Sequence, residues 1–507
     1  MSERIKDIQT KEVQNQISSY RSIFKATSLF GGVQVYNILI SIISSKFVAI
    51  LLGPLGVGIK GLFQSSISMI EGFTSMGISR SAVRDVSLAN GTGDHNKIGR
   101  TVCALKKLVW ATGLFGMIVF IVLSPLLSKF SFGNYDYTLS FIFLSVILLF
   151  NQLSAGQLVV LQGLRRLNFL AKASALGATL GLLVSVPLYY LLGIKGIVPT
   201  LILTSISALI LSWFFSQKVE IPKVKISNKE ALQEGNKMLR MGIAMSVSSV
   251  LSLLFSYLLR GFIRYQGDIE AVGIFSAGFA IINTYVGMIF DAMIKDFYPR
   301  LSAVSDDDAK CLQVVNQQAE VGTLIMAPML IACLVFIPVV IWILYSDKFM
   351  GAMEYIVWAI PGMLLKMASW AIALIFTAKG NPKLYMSNEV FGSVQSFICS
   401  IAGYFFFGLK GLGIGFTVGY LLYLLKVYIT AHKQFKFSFT RSFLKLYGIQ
   451  FLLVSVCLAF VVIFKGMLLY ILGSLMLIVS GYISINGINK RTNIIQVIKE
   501  RIGNGQK

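Results

Sequence analysis

Apolar runs of about 20 residues recur from one end of this 507-residue chain to the other. Each can cross a hydrocarbon layer of roughly 30 Å as a helix, and a lipid-exposed backbone must satisfy its own hydrogen bonds. Fourteen windows qualify, near residues 27–52, 59–79, 108–128, 138–160, 173–193, 198–216, 241–263, 272–294, 319–345, 353–378, 385–408, 412–430, 443–464 and 467–486. The expected fold is therefore an all-α polytopic membrane protein with 14 transmembrane helices.

The net charge of +23 would suggest nucleic acid in a soluble domain, but here the spans govern where charge can sit. With the N-terminus inside, 34 of the 45 Lys and Arg fall in inner loops, seven in outer loops and four within spans. That asymmetry predicts cytoplasmic termini and no nucleic-acid partner. The first 25 residues carry no A-x-A-like cleavage pattern, so no signal peptide is expected, and Ile5, Ile8, Val13 and Ile17 fit an amphipathic surface segment. Five scattered cysteines without C-x-x-C, and two distant histidines (His95, His432), predict neither disulfides nor a metal site.

An internal repeat organises the spans. LGIKGI (192–197) matches FGLKGL (407–412), and the turn GVGI (56–59) matches AVGI (271–274), both at an offset of 215 residues. Spans 1–6 thus read as duplicated in spans 7–12, giving two six-helix lobes in parallel orientation with spans 13 and 14 outside the repeat. The same offset carries a polar stripe of span 1 (Gln34, Asn37, Ser41, Ser45) onto one of span 7 (Ser249, Ser252, Ser256, Arg260). Two stripes at helical spacing point to a shared polar space. The domains expected are an amphipathic segment 1–26, an N-lobe 27–216, a linker 217–240, a C-lobe 241–430, helices 443–486 and a tail 487–507.

The in-span charges are Lys46, Arg260, Lys366 and Lys426, with Glu71 read as the one carboxylate well inside a span. Such groups are costly in lipid and face cavities or partners. Arg260 extends the serine stripe of span 7, with Arg264 one turn on at its rim. Lys366 shares a small polar face with Gly362, Ser369, Ala373 and Thr377, and its repeat counterpart is Asn151; Pro361 is expected to kink the helix and free a carbonyl. Lys426 fits a cavity contact or snorkelling equally. Lys46 lies about 120° from its stripe, where snorkelling is the simpler account. The candidate cavity set is Lys366, Arg260, Arg264, Lys426, Lys46, Asn151, Asn37 and Gln34. A net positive cavity predicts an anionic cargo, since guanidinium and ammonium groups match phosphate oxygens. Glu71, with Gln64, Ser68 and Ser75, is the candidate for coupling to a proton or sodium gradient; pairing with a cavity cation and packing as a protonated acid are alternatives.

No HExxH, P-loop or G-x-S-x-G appears, so catalysis is not expected and no cofactor is called for. The triplet Asp306–Asp308 reads as a solvated turn or helix cap. The motifs LLGPLGVGIKGLFQSS (51–66) and LQGLRRLNFLAK (161–172) resemble those of bacterial polysaccharide transporters, and more specifically O-antigen flippases of the multidrug/oligosaccharidyl-lipid/polysaccharide exporter superfamily. That resemblance implies two lobes around a cationic cavity in the bacterial inner membrane. Its implied cargo is an undecaprenyl-pyrophosphate-linked oligosaccharide moved by alternating access, and its implied partners are a polysaccharide polymerase and a chain-length regulator. Lipid II flippases and cation-coupled multidrug exporters of the superfamily are the rival readings. The first carry several basic residues on span 1 and the second an acid there; this chain has Lys46 alone and no acid.

Overall fold

The computed structural model describes residues 2–222 and 224–492, with side chains from Gly32 to Lys490 save those of Arg80, Lys223, Lys237, Ala244, Met245 and Pro382. Ile5, Ile8, Val13, Ile17 (as side chains) and residues 493–507 of the expected tail lie outside the described residues.

Every regular element among the described residues is helical. In chain order these are α1 (Ser2–Thr74), α2 (Ile78–Gly91), α3 (His95–Phe132), α4 (Thr138–Gly163), α5 (Leu167–Leu192), α6 (Ile197–Gln217), α7 (Asn228–Gln266), α8 (Ile269–Ala280), α9 (Met288–Ala303), α10 (Asp308–Val335), α11 (Ile337–Leu344), α12 (Ala352–Ala378), α13 (Pro382–Phe435), α14 (Arg441–Ile463) and α15 (Met467–Thr492). Eleven helical stretches are long and apolar enough to cross a membrane. Three of them, Gly32–Thr74, Leu167–Gln217 and Lys383–Phe435, hold 43 to 53 residues, well beyond one crossing at 1.5 Å per residue. Each is interrupted at a glycine of positive φ: Gly53 (65°), Gly193 (54°) and Gly408 (59°). Only glycine adopts that backbone without strain.

The offset of 215 reappears in the backbone. Gly193 pairs with Gly408, and Arg165, one of three non-glycine residues of positive φ, pairs with Gly380 (φ 65°). The break at Gly53 corresponds to Asp268, whose carboxylate caps α8 by accepting from the Ala271 N–H. GVGI and AVGI are therefore not turns, as expected, but helical segments just after matching breaks. The window 319–345 is likewise two helices, because the chain leaves α10 at Phe336 before α11. Asp307 caps α10 by accepting from the Lys310 N–H, which holds its carboxyl below the ordinary carboxylate range.

The chain divides into two compact units, Met1–Leu52 with Phe63–Leu253, and Gly53–Leu62 with Leu254–Lys507. In the first, α2, α3 and α4 meet around Val86, Val102, Leu105, Val109 and Val160, where Gly156 and Gly163 admit the side chains of Val109 and Val86. Small residues at such crossings let helices approach where lipid supplies no hydrophobic drive. The segment before α7 docks on α3. Lys107 donates to the Ile226 carbonyl (2.7 Å) and Asn228 Oδ1 (2.8 Å), and Arg100 bridges to Glu234 (3.2 Å). Ser227 and Glu230 form a reciprocal capping box at the start of α7. In the second unit α12 is central: Ile356, Ile360, Met363, Leu364, Met367 and Ala371 are all buried.

Candidate functional site

On α12 between Tyr355 and Ile372, only Trp358, Lys366 and Trp370 are not buried. Their spacing of eight and four residues puts them on one face, so a helix otherwise enclosed by protein opens along a single stripe with Lys366 at its middle. The Lys366 ammonium donates to Asn283 Oδ1 at 3.4 Å and lies over the rings of Phe290 (5.2 Å) and Tyr420 (5.5 Å). Asn283 sits in a π-helical turn, Ile281–Val286, between α8 and α9. Such turns locally widen a helix and re-aim its side chains, and they recur at functional sites.

Arg260, on α7, donates from Nη1 to the Ser256 carbonyl (3.1 Å) and also contacts Ser256 Oγ. Its guanidinium stands over Phe279 (5.7 Å) and Phe275 (5.9 Å) of α8, and its buried Nε has no hydrogen-bond partner. Tyr355 connects the two cations. It interacts electrostatically with Arg260, hydrogen-bonds the Asn283 amide and packs edge-on against Phe275 (5.3 Å). Arg260, Tyr355, Asn283, Lys366 and Tyr420 thus form one cluster inside the second unit. Every group touching its two cations is neutral, and neither forms an ion pair among the described residues. Two positive charges held by dipoles and ring faces, without an ion-pair partner among the described residues, suit an anion better than a cation.

The site rests on a repaired helix. Pro361 lies within α12, and the Thr417 hydroxyl of α13 accepts from the Gly362 N–H (3.1 Å) and donates to the Trp358 carbonyl (2.6 Å). Those two backbone groups would pair in a regular helix, so a neighbouring side chain has entered the ladder. Gly362 is needed here, since a Cβ would lie 2.9 Å from Thr417 Oγ1 and 2.7 Å from Phe416 Cδ1.

The remaining candidates lie elsewhere. Asn151 and Glu71 meet in the first unit, where the Asn151 amide donates to Glu71 Oε2 at 3.2 Å. Asn37, in the same unit, donates to Ser174 Oγ (2.9 Å), while Gln34 is exposed and Lys46 half-buried. Lys426 stands apart on α13, donating to the Ser387 carbonyl (3.0 Å) and lying over Phe391 (4.4 Å). Arg264 is in the last turn of α7, half-buried. Ser369 is buried rather than on the open face, donating to the Lys366 carbonyl (3.0 Å).

Several charges near the ends of the hydropathy windows also lie within helices. Lys60, counted with the outer loops, is seven residues past the break at Gly53 inside a helix. Asp291, Glu320 and Glu389 also lie within the long apolar helices, each near an end of its hydropathy window (272–294, 319–345 and 385–408). Asn283, Tyr355, Tyr420 and Phe290 were not among the expected site residues. A signal for two of them was present: adding 215 to Gln64, Ser68, Glu71 and Ser75 gives Phe279, Asn283, Val286 and Phe290, three of which touch Arg260 or Lys366.

Comparison with known proteins follows the same division between fold and site. Residues 47–354, more than half of the chain, match the family model described as "Polysaccharide biosynthesis protein". A curated relative, the lipid III flippase of Escherichia coli strain K12, is 20% identical over 73% of this chain and 88% of its own length. Among solved structures, an inward-facing multidrug resistance MATE family transporter of the MOP superfamily gives a TM-score of 0.63 at 14% identity, covering 80% of this chain and 94% of its own. A lipid II flippase in an inward closed conformation gives 0.62 at 12% identity, covering 92% and 99%. A MOP superfamily transporter from Pyrococcus furiosus, titled for the reverse polarity of its binding pocket, gives 0.57 at 15% identity, covering 81% and 94%. At these identities the structural likeness concerns the fold, an all-helical MOP-superfamily transporter fold.

Proposed function

The chain belongs to the polysaccharide biosynthesis protein family, and on that premise we propose that it is a flippase. Its cargo is an undecaprenyl-pyrophosphate-linked oligosaccharide, of the O-antigen or a related repeat-unit class, carried from the inner to the outer leaflet of the bacterial cytoplasmic membrane by alternating access. The observation that carries this reading is the cluster of Arg260 and Lys366, two cations bonded only to neutral groups. A pyrophosphate supplies the missing negative charge, and guanidinium and ammonium donors suit its oxygens. The lipid III flippase relative supports a lipid-linked saccharide as cargo.

The same reading extends to topology. Eleven apolar helical stretches, three of them divided at a positive-φ glycine, support a reading of fourteen crossings in two repeated six-helix lobes plus α14 and α15. An even number of crossings and the basic bias of alternate loops put both termini in the cytoplasm. A polymerase and a chain-length regulator are the proposed partners downstream. The lipid II and multidrug-exporter alternatives are less well supported: span 1 carries Lys46 as its only basic residue and no acid, and a site of two uncompensated cations suits an anion rather than a cationic drug.

The test is Lys366→Gln in a strain whose surface polysaccharide depends on this protein. Display is expected to fall sharply while the amount of protein in the membrane is unchanged, with Lys366→Arg retaining part of the display. Normal polysaccharide from Lys366→Gln would remove the ammonium from the mechanism.

A further inference from the structure

The two units meet one local problem, the turn from one helix into the next, with different residues. In the second, α12 passes to α13 through Gly380 and Asn381. Gly380 takes a φ of 65°, and the Asn381 side chain caps α13 by accepting from the Leu384 N–H (3.1 Å). Such a turn favours these residues, since glycine tolerates positive φ and an asparagine oxygen accepts from a free helical N–H. Their repeat counterparts in the first unit, between α4 and α5, are Arg165 and Arg166. The backbone closes in the same way there. The Arg166 N–H donates to the Leu161 carbonyl (2.8 Å), as the Asn381 N–H does to that of Phe376 (3.2 Å). Yet Arg165 holds a φ of 54° with a side chain attached, and Arg166 leaves α5 without a side-chain cap, having no acceptor to offer. Both arginines run against local preference, so their placement answers to something outside the turn.

Their surroundings supply the reason. No Asp or Glu occurs in α4, α5 or α6. Arg165, Arg166, Lys172 and Lys218 are all exposed, and none forms an ion pair among the described residues. The end of α6 joins the turn through Phe215, which stacks on Phe169 (6.1 Å), and Leu164 packs against the same buried group of Leu161, Phe215 and Val219. Lys218 lies over the Phe214 ring (4.4 Å). Leu203, Ile210 and Phe214, seven and four residues apart, form an exposed apolar face of α6, and Trp213 flanks it. A membrane helix turns such a face to lipid, and aromatic rings at its end mark the level of the headgroups. Unpaired cations thus stand beside the aromatic end of a lipid-facing helix.

We infer that Arg165, Arg166 and Lys218 form a binding site for the phosphate of an anionic phospholipid, whose acyl chains lie along the exposed face of α6. A guanidinium pairs with two phosphate oxygens at once, and the Lys218 ammonium adds a point charge beside them. A zwitterionic headgroup brings a cation that this site repels, so an anionic lipid is selected. On the topology proposed above the lipid belongs to the cytoplasmic leaflet. The site itself needs only the membrane, not the flippase reading.

Trp213 reports on the site. Full-length protein with Trp110, Trp342, Trp358 and Trp370 replaced by Phe is reconstituted in phosphatidylcholine bilayers. Its fluorescence is then quenched with brominated phosphatidylglycerol or brominated phosphatidylcholine, and phosphatidylglycerol is expected to quench at the lower mole fraction. The double variant Arg165→Gly, Arg166→Asn copies the turn of the second unit. Its preference is expected to fall by about fivefold for each arginine lost, the order of one basic group's attraction to an anionic surface. In lipid-free neutral micelles the same variant should unfold no more easily than its parent, because it restores what the backbone favours. An unchanged lipid preference overturns the site. A loss of stability in micelles overturns it too, by giving the arginines a place in the fold itself. Soluble pyrophosphate should leave the preference intact; if it abolishes it, the ligand is a free phosphate and the lipid assignment is overturned.

Discussion

Replacing Thr417 by Val should loosen the turn that carries Lys366. The hydroxyl serves two buried backbone groups, the Gly362 N–H at 3.1 Å and the Trp358 carbonyl at 2.6 Å. In a water-soluble core, each group left unsatisfied costs about 1–3 kcal/mol. Interhelical hydrogen bonds in membranes measure less, averaging about 0.6 and reaching about 1.7 kcal/mol, because freed groups find other partners. Here those partners would be each other, and Pro361, one residue before Gly362, opposes the straightening that would join them. We therefore expect Thr417→Val to cost about 1–2 kcal/mol, the upper part of the membrane range, and Thr417→Ser to cost much less. The assay is reversible unfolding in mixed micelles, run as a double-mutant cycle with Pro361→Ala. With the proline gone, the ladder bond can close, and the cost of Thr417→Val should fall below about 0.5 kcal/mol. An equal cost in both backgrounds would refute the bridging argument and leave only lost packing. Polysaccharide display should track the same order, since Lys366 follows Gly362 by one turn.

Other outcomes follow from the same geometry. Asn283→Leu removes the group shared by Lys366 and Tyr355, and should weaken pyrophosphate binding by about tenfold, as for one charged hydrogen bond, measured by calorimetry. Lys379 donates to the Ser305 carbonyl (2.6 Å) and pairs with Asp308 (2.7 Å) while its side chain is only 13% exposed. Lys379→Met should then lower unfolding stability by about 1.5–3 kcal/mol in detergent, with display falling through protein loss rather than mechanism. The Ser227 N–H, then its hydroxyl, hold the Glu230 carboxyl below the ordinary range. Its contribution is full above the unfolded value of about 4.3 and is lost as pH falls through the lower folded value. Amide exchange at residues 228–232 should rise on that acid side and stay flat toward neutral pH.

The sequence by itself determined the class of fold and showed the offset of an internal repeat. Fourteen apolar windows leave a membrane-spanning chain few structures besides helices, and the 215-residue offset recurs in the backbone at Arg165 and Gly380 and at Gly193 and Gly408. Periodicity grouped Lys366 with Gly362 and Ser369, but both of those are buried and the open face of α12 is shared with Trp358 and Trp370. Breaks between helices were less legible: the window 319–345 holds the end of α10 and the start of α11, and GVGI, read as a turn, is helical, since hydropathy marks apolar centres and not where the backbone turns. Only the tertiary structure decided which polar groups share a site. Arg260 and Lys366 are 106 positions apart in the chain, and what joins them is Tyr355 on α12 and Asn283 in a π-helical turn. It also decided that the Thr417 hydroxyl enters the backbone ladder beside Pro361, and that Asn151, the counterpart of Lys366, answers to a carboxylate. Spacing along one helix says which way a side chain points, but what it meets depends on packing between helices distant in sequence.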